Sequence, residues 1–560
     1  MKGKAKWSIL LSLLLVFSLV LAACSSGGSS SDKKDNKTKT SSNDNYKQVM
    51  NLAETEEIPT MNTTIADDQV SFIVFNQVYE GLYTMNEKDE LVPALAVGDP
   101  QIEKQGSDYV YTFKLQPNAK WSNGDPVTAN DFVYAWQKVV DPKTKGASYN
   151  YLFPTLGIKN AQEIIDGKMP PDQLGVKAVD DHTLEVTLTK EVPYYKSLFA
   201  FPTFFPQNKK FVESQGKNYG LEVENCVFNG PYVLDSWDHN EGWVYKKNPT
   251  YWDKDNVHID QINVKVVKDL QARINLYMGG KIDAVGLSKN WVAKYSDRDD
   301  FRKKLGTSVY YFKFNEKNKY LKNPNIRKAI SMGWDRQAYV DKLLNNGSVV
   351  ATGLIPGGFV KTADGKDFRE ANGDLQNYDL EKAKEYWQKG LDELGVKNVE
   401  LEILAYDGPD YKQNITYIAN QLQKNLPGLK LKINQQEFKV MLDLEDNLKY
   451  DIATAGWGPD YQDPMTFLDM FTTGNGNNQM AYSNPEYDKL IKEAGEKADD
   501  PAARDQLLLQ AEKILIQDDA ALGLMYQSGG ASLVQPYLVN FASHPFGPDY
   551  SFKFMSVKKH

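Results

Sequence analysis

From residue 46 onward, apolar positions along the chain switch between period two and period three to four. In "DYVYTFKLQ", Tyr109, Tyr111, Phe113 and Leu115 fall on one face, with Thr112 and Lys114 on the other. This predicts a half-buried strand. "PVTANDFVYAWQKVVDP" follows, where Phe132, Ala135, Trp136 and Val139 make a helical stripe. Thr128 with Asp131 three residues on reads as a capping box, and the Asp141-Pro142 step ends the helix. "HTLEVTLT" returns to period two, with Leu184, Val186 and Leu188 inward.

Residues 400 to 460 carry the most regular pattern. "VELEILAY" predicts a strand, and 411 to 426 a helix with Ile415, Ile418, Leu422 and Leu426 on one side. A strand at "LKLKIN", a helix with Val440, Met441 and Leu444, and a strand at "YDIATAGW" complete a β-α-β-α-β order. That order belongs to a parallel sheet with covering helices, so the fold class is α/β. Ligands of such sheets bind beyond the carboxyl ends of strands. There "AGWGPDYQDPMTF" sets Asp460 and Asp463 among Gly, Pro and aromatic residues, where neither acid suits a helix interior.

Length and composition narrow the picture. A chain of 560 residues exceeds one hydrophobic core, so two or three domains are expected. Tyr is abundant, at 32 residues, which suits either a wet binding cleft or half-exposed sheet faces. The first 23 residues hold three lysines and no acid, leaving 62 basic against 74 acidic groups, a net of −12. That sign argues against nucleic acid and against adsorption to anionic lipid.

The N-terminus is basic up to Lys6, then apolar ("SILLSLLLVFSLVLAA"), then Cys24. This is the order of a secretory signal, residues 1–23. "LAAC" resembles a bacterial lipobox, which implies lipid on Cys24 and attachment to the outer face of the bacterial cell membrane. Residues 24–45 read as a flexible tether reaching about 25 Å. Cys226 is then the single remaining thiol, expected buried and inert.

Enzyme signatures are sparse. The five His form no H-E-x-x-H, and neither a G-x-S-x-G elbow nor a phosphate loop occurs. No cofactor and no metal are expected. The pair Asp460 and Asp463 is the one candidate for carboxylate catalysis, as in a surface hydrolase.

"YTFKLQPNAKWSNGDPVTANDFVYAW", "NGPY" at 229–232, "NPTYWDKDNV" at 248–257, "NIRKAISMGWDR" at 325–336 and "GWGPDYQDPMTFL" at 456–468 resemble the family-5 extracytoplasmic solute-binding proteins. Within that family the chain is similar to oligopeptide-binding lipoproteins of ABC importers. The resemblance implies a two-lobed periplasmic-binding-protein-like fold of the class II type with an additional third domain. Its expected boundaries are 46–80, 205–308 and 530–560 for lobe I, 81–204 for the additional domain and 309–529 for lobe II. It implies a monomeric, non-catalytic receptor that hands peptides to ABC permease subunits.

The resemblance also assigns roles. Asp460 would receive the ligand's α-ammonium, and the backbone at Gly456, Trp457 and Gly458 would pair with the peptide as a strand, with Tyr461 adjoining. Asp68 and Gln69 would face it from the other lobe, with Ser148, Tyr149, Gly286, Leu287, Tyr311 and Phe438 at or near further contacts. Asp67 and Asp68 equally suit an N-cap ahead of a helix starting at Gln69, and Phe438 suits a core position. Some short-peptide members carry arginines where this chain has Thr454 and, approximately, Glu445. A differently placed carboxylate clamp follows, or none. A signalling-peptide receptor and a receptor for a non-peptide solute are the alternatives on the same scaffold.

Overall fold

The computed structural model describes residues 48–560 except Gly408, Ala542 and Pro548, and omits the side chains at 409, 410, 438 and 439. Cys24, the signal segment and the tether lie outside the described residues.

Among the described residues three sheets of four or more strands organise the chain, beside two two-stranded ones. The first runs Val49–Glu54, Gln261–Val266, Gly242–Lys247, Tyr232–Asp238, with the first pair parallel and the rest antiparallel. The second is antiparallel throughout, in the order Gln101–Gln105, Asp108–Lys114, Thr183–Leu188, Val176–Asp180. Tyr111, Phe113, Leu115, Leu184, Val186 and Leu188 are buried in it. The expected alternation is incomplete, because Val110 on the opposite face is buried too. Against this sheet lies the helix Ala129–Val140, whose stripe of Phe132, Ala135, Trp136 and Val139 is buried. Its capping box forms, with the Thr128 N–H donating to Asp131 Oδ2 at 2.8 Å.

The third sheet has seven strands. Six follow the order Ala284–Leu287, Leu522–Val534, Phe301–Phe314, Ile452–Trp457, Val399–Tyr406, Leu429–Gln436, and Val349–Val350 pairs with Leu522–Val534 off that path. The β-α-β-α-β order is present as expected: Val399–Tyr406 pairs parallel with Leu429–Gln436 and with Ile452–Trp457. Helix Pro409–Asn425 buries Ile415, Ile418 and Leu422, with Leu426 just beyond its end. In the next helix, Phe438–Asp446, Met441 is buried but Val440 is exposed.

Alternation along Phe301–Phe314 serves two cores. Val309 and Tyr311 pack with Phe467, Phe471 and Leu524, whereas Phe312 and Phe314 pack with Trp334, Ile403 and Ile418. From Tyr311 to Phe314 the strand is buried on both faces, and its register against Leu522–Val534 shifts between Tyr310 and Tyr311. Cys226 is buried and unbridged, and burial pushes its thiol up to about 12, so it stays protonated and unreactive. Among the described residues no helix is long and apolar enough to cross a membrane.

Candidate functional site

The site grows from the end of Ile452–Trp457. On one side this strand pairs Val309 with Trp457, Tyr310 with Gly456 and Tyr311 with Ala455. On the other, Val399–Tyr406 reaches only Ile452 and Ala453. From Thr454 to Trp457 the strand is therefore, among the described residues, laddered along one edge, with backbone groups to offer along the other. Gly456 is required by close approach: a Cβ there would come within 2.7 Å of the Tyr310 ring.

The turn that follows treats its two acids differently. Asp463 accepts from Arg504 Nη2 at 2.7 Å and Nη1 at 2.9 Å, and from the Met465 N–H at 2.9 Å. Both side chains are about 8% exposed, so this is a buried, two-pronged ion pair. A carboxylate so engaged has no role as the second acid of a hydrolase. The Asp460 carboxyl is instead without a cation partner among the described residues. Burial pushes it up to about 6, opposed by the Tyr151 hydroxyl hydrogen-bonded to it. Its backbone N–H donates to Thr466 Oγ1 at 3.0 Å, which holds the turn.

Asp460 lines a cavity of about 440 Å³ with Gln69, Phe72, Tyr149, Lys304, His544 and Asp549. Ser308 and Gly458 line both this cavity and a second one of about 540 Å³. The second has an aromatic and aliphatic wall. Tyr310 stacks on Tyr526 with centroids 4.6 Å apart, Tyr406 meets Tyr411 edge-on at 5.0 Å, and Ile415 and Met441 complete it. At one end Lys313 Nζ donates to Glu445 Oε2 at 2.6 Å and to Gln479 Oε1 at 2.5 Å.

The residues expected from sequence separate into two groups. Asp460, Gln69 and Tyr149 line the first cavity, Gly456, Trp457 and Tyr311 the second, and Gly458 both. Asp68 lines neither: its Oδ1 accepts from the Ser71 N–H at 2.8 Å as the N-cap of helix Gln69–Val78. Tyr461 is buried behind the turn, stacked on Tyr194 at 4.4 Å, with its hydroxyl 3.4 Å from Asp469. Gly286 and Leu287 pair with Ser532 and Ala531 in the edge strand and line neither cavity. The Phe438 side chain lies outside the described residues.

Sequence reasoning missed Lys313, Tyr310, Tyr406, Tyr411 and Tyr526, and the His544 imidazole held between Asp89 and Ser551 at 2.8 Å each. One signal was available: a lysine in "VYYFKF", where alternation puts it within a buried strand.

Two cavities that share Ser308 and Gly458, beside a strand edge paired on one side among the described residues, suit a solute-binding receptor. The family model for bacterial extracellular solute-binding proteins, family 5, matches residues 90–479, and the chain belongs to that family. It therefore has the two-lobed α/β fold, works outside the cytoplasm, and is a binding protein, not an enzyme. The dipeptide-binding protein DppE of Bacillus subtilis is 33% identical over 91% of this chain and 92% of its own. Listeria monocytogenes OppA bound to peptide is 44% identical with TM-score 0.76, covering 92% of this chain and 100% of that one. The pheromone receptor PrgZ is 35% identical with TM-score 0.76, over 92% and 100%.

Proposed function

We propose that this protein captures peptides outside the cell, held to the membrane by lipid on Cys24, and delivers them to an ABC transporter permease. One observation carries the reading: a strand edge, Thr454–Trp457, that among the described residues is laddered on one side only, leads to Asp460, an acid with no cation partner among them. A peptide presents N–H and C=O groups to such an edge whatever its sequence, and its α-ammonium suits the acid. The peptide-bound Listeria relative and the B. subtilis dipeptide-binding protein support this assignment.

The proposed division is lobe I at 46–80, 205–308 and 530–560, an additional domain at 81–204, and lobe II at 309–529. The first sheet falls wholly in the first group and the antiparallel sheet wholly in the second. Strands Phe301–Phe314 and Leu522–Val534 run across the two crossings.

Native mass spectrometry of the purified protein tests the reading. A monomer carrying a heterogeneous set of peptide masses is expected; a single non-peptide mass would overturn it. One defined peptide mass would favour a signalling receptor, the reading that likeness to PrgZ supports. Replacing the anchor, Cys24→Ser, should release the protein from the membrane fraction, and unchanged acylation of that variant would refute the lipid assignment.

A further inference from the structure

Peptide capture at Asp460 does not account for the ion pair at the end of the second cavity. Lys313 is 8% exposed and Glu445 2%, and they are the only charged side chains among the described residues lining that cavity. The rest of the wall is aromatic, aliphatic or uncharged polar. A buried ion pair in such surroundings gives the fold little beyond what a well-packed apolar pair would give. Where it stands, however, it fixes the net charge that a ligand meets.

Resting on the peptide reading, we propose that Lys313 and Glu445 are specificity-determining residues. They make the second cavity a subsite for a bulky uncharged side chain, aromatic or long aliphatic, and exclude charged ones. Lys313 is already engaged by Glu445 at 2.6 Å and Gln479 at 2.5 Å. An incoming carboxylate would have to part Lys313 from Glu445 and would bring two anions together. An incoming ammonium would set two cations against one carboxylate. Either leaves an uncompensated charge in an apolar cavity, which is strongly unfavourable. The wall provides what an uncharged ring needs: Tyr311, which shares the strand face of Lys313, with Met441, Leu442 and Met470 in the same lining.

Register places the subsite along the peptide. Trp457 lies opposite Val309 and Ala453 opposite Lys313, four residues apart, or about 13 Å of strand. A peptide whose amino end is at Asp460 thus reaches the ion pair with a side chain beyond its second residue.

Calorimetry with free-amine heptapeptides, in which Phe, Glu or Lys is moved through positions 2 to 7, tests this. In the wild type one position beyond the second should prefer Phe over both Glu and Lys by at least tenfold. Glu445→Gln frees the ammonium and should shift preference at that position toward Glu by tenfold or more. Lys313→Met frees the carboxylate and should shift it toward Lys by a similar factor. The double variant Lys313→Met with Glu445→Met restores neutrality and should keep the Phe preference, even where a single variant fails to fold. Equal binding of Phe, Glu and Lys at every position of the wild type overturns this inference alone. No binding by any peptide overturns the peptide reading, and this inference with it.

Discussion

Asp460 and Asp463 stand three residues apart in one turn, each beside a proline, and the fold gives them opposite surroundings. The base of the turn is closed by Asp463, gripped on both oxygens by Arg504 from helix Pro501–Lys513. The rim carries Asp460, buried enough to be pushed up to about 6 yet given a tyrosine hydroxyl in place of a cation. Residue type and local sequence are nearly the same in the two places. What differs is the counter-charge: the fold gives Asp463 a buried arginine and, among the described residues, gives Asp460 no cation.

The largest expected effect is at the base. Arg504→Met leaves Asp463 buried without its partner and should reduce stability by about 3–5 kcal/mol in urea unfolding. The folded variant should still distinguish a free-amine peptide from its N-acetylated form. A loss below about 1 kcal/mol would erase the contrast between base and rim.

At the rim, Asp460→Ala should weaken a free-amine peptide by at least tenfold, about 1.4 kcal/mol, and leave an acetylated peptide nearly unchanged. Calorimetry on both ligands reads the difference. Equal losses would make Asp460 another turn residue. Lowering the pH should do reversibly what that substitution does permanently. If the ammonium binds the ionised acid, affinity is full above about pH 6 and falls as Asp460 protonates below it. At pH 5 a free-amine peptide should bind roughly tenfold more weakly than at pH 7.5. The sign is opposite for the empty fold, which the raised carboxyl disfavours above about pH 6 and no longer burdens once protonated. A pH-independent affinity for the free amine would remove Asp460 from the contact.

The smallest expected effect is at the far end of the cleft. Because Glu445 already satisfies Lys313, converting the peptide's C-terminal carboxylate to an amide should change affinity less than threefold, under about 0.7 kcal/mol. A loss above about 2 kcal/mol would show that a cation of the protein grips that carboxylate after all.

Much of this was legible where contacts are local. The capping box of Thr128 and Asp131, the stripe Ile415, Ile418, Leu422, and the β-α-β-α-β order of residues 399–457 all follow from periods within one element. The position of Asp460, just past the end of strand Ile452–Trp457, was legible from the period-two run that stops there. The second cavity was not, because its parts meet only through the sheet. Lys313 and Glu445 are 132 residues apart, and Tyr310 reaches Tyr526 through antiparallel pairing of two long strands. Arg504 was invisible for the same reason, so nothing in "PDYQDP" could tell Asp463 from Asp460. The place of Gly286 and Leu287 in an edge strand, paired with Ser532 and Ala531, was likewise not legible, because that pairing joins segments far apart in the chain.

The half-laddered edge from Thr454 to Trp457 has one more consequence. A chain seated there would become an interchangeable last strand of the receptor's own sheet, so occupancy would raise the melting point of the host in proportion to the logarithm of ligand concentration. Those backbone groups are blind to sequence, whereas the aromatic wall and its ion pair are not. On the proposed reading, breadth of cargo and choice of cargo would reside on different atoms of neighbouring residues, and selection could alter the second while the first stays fixed.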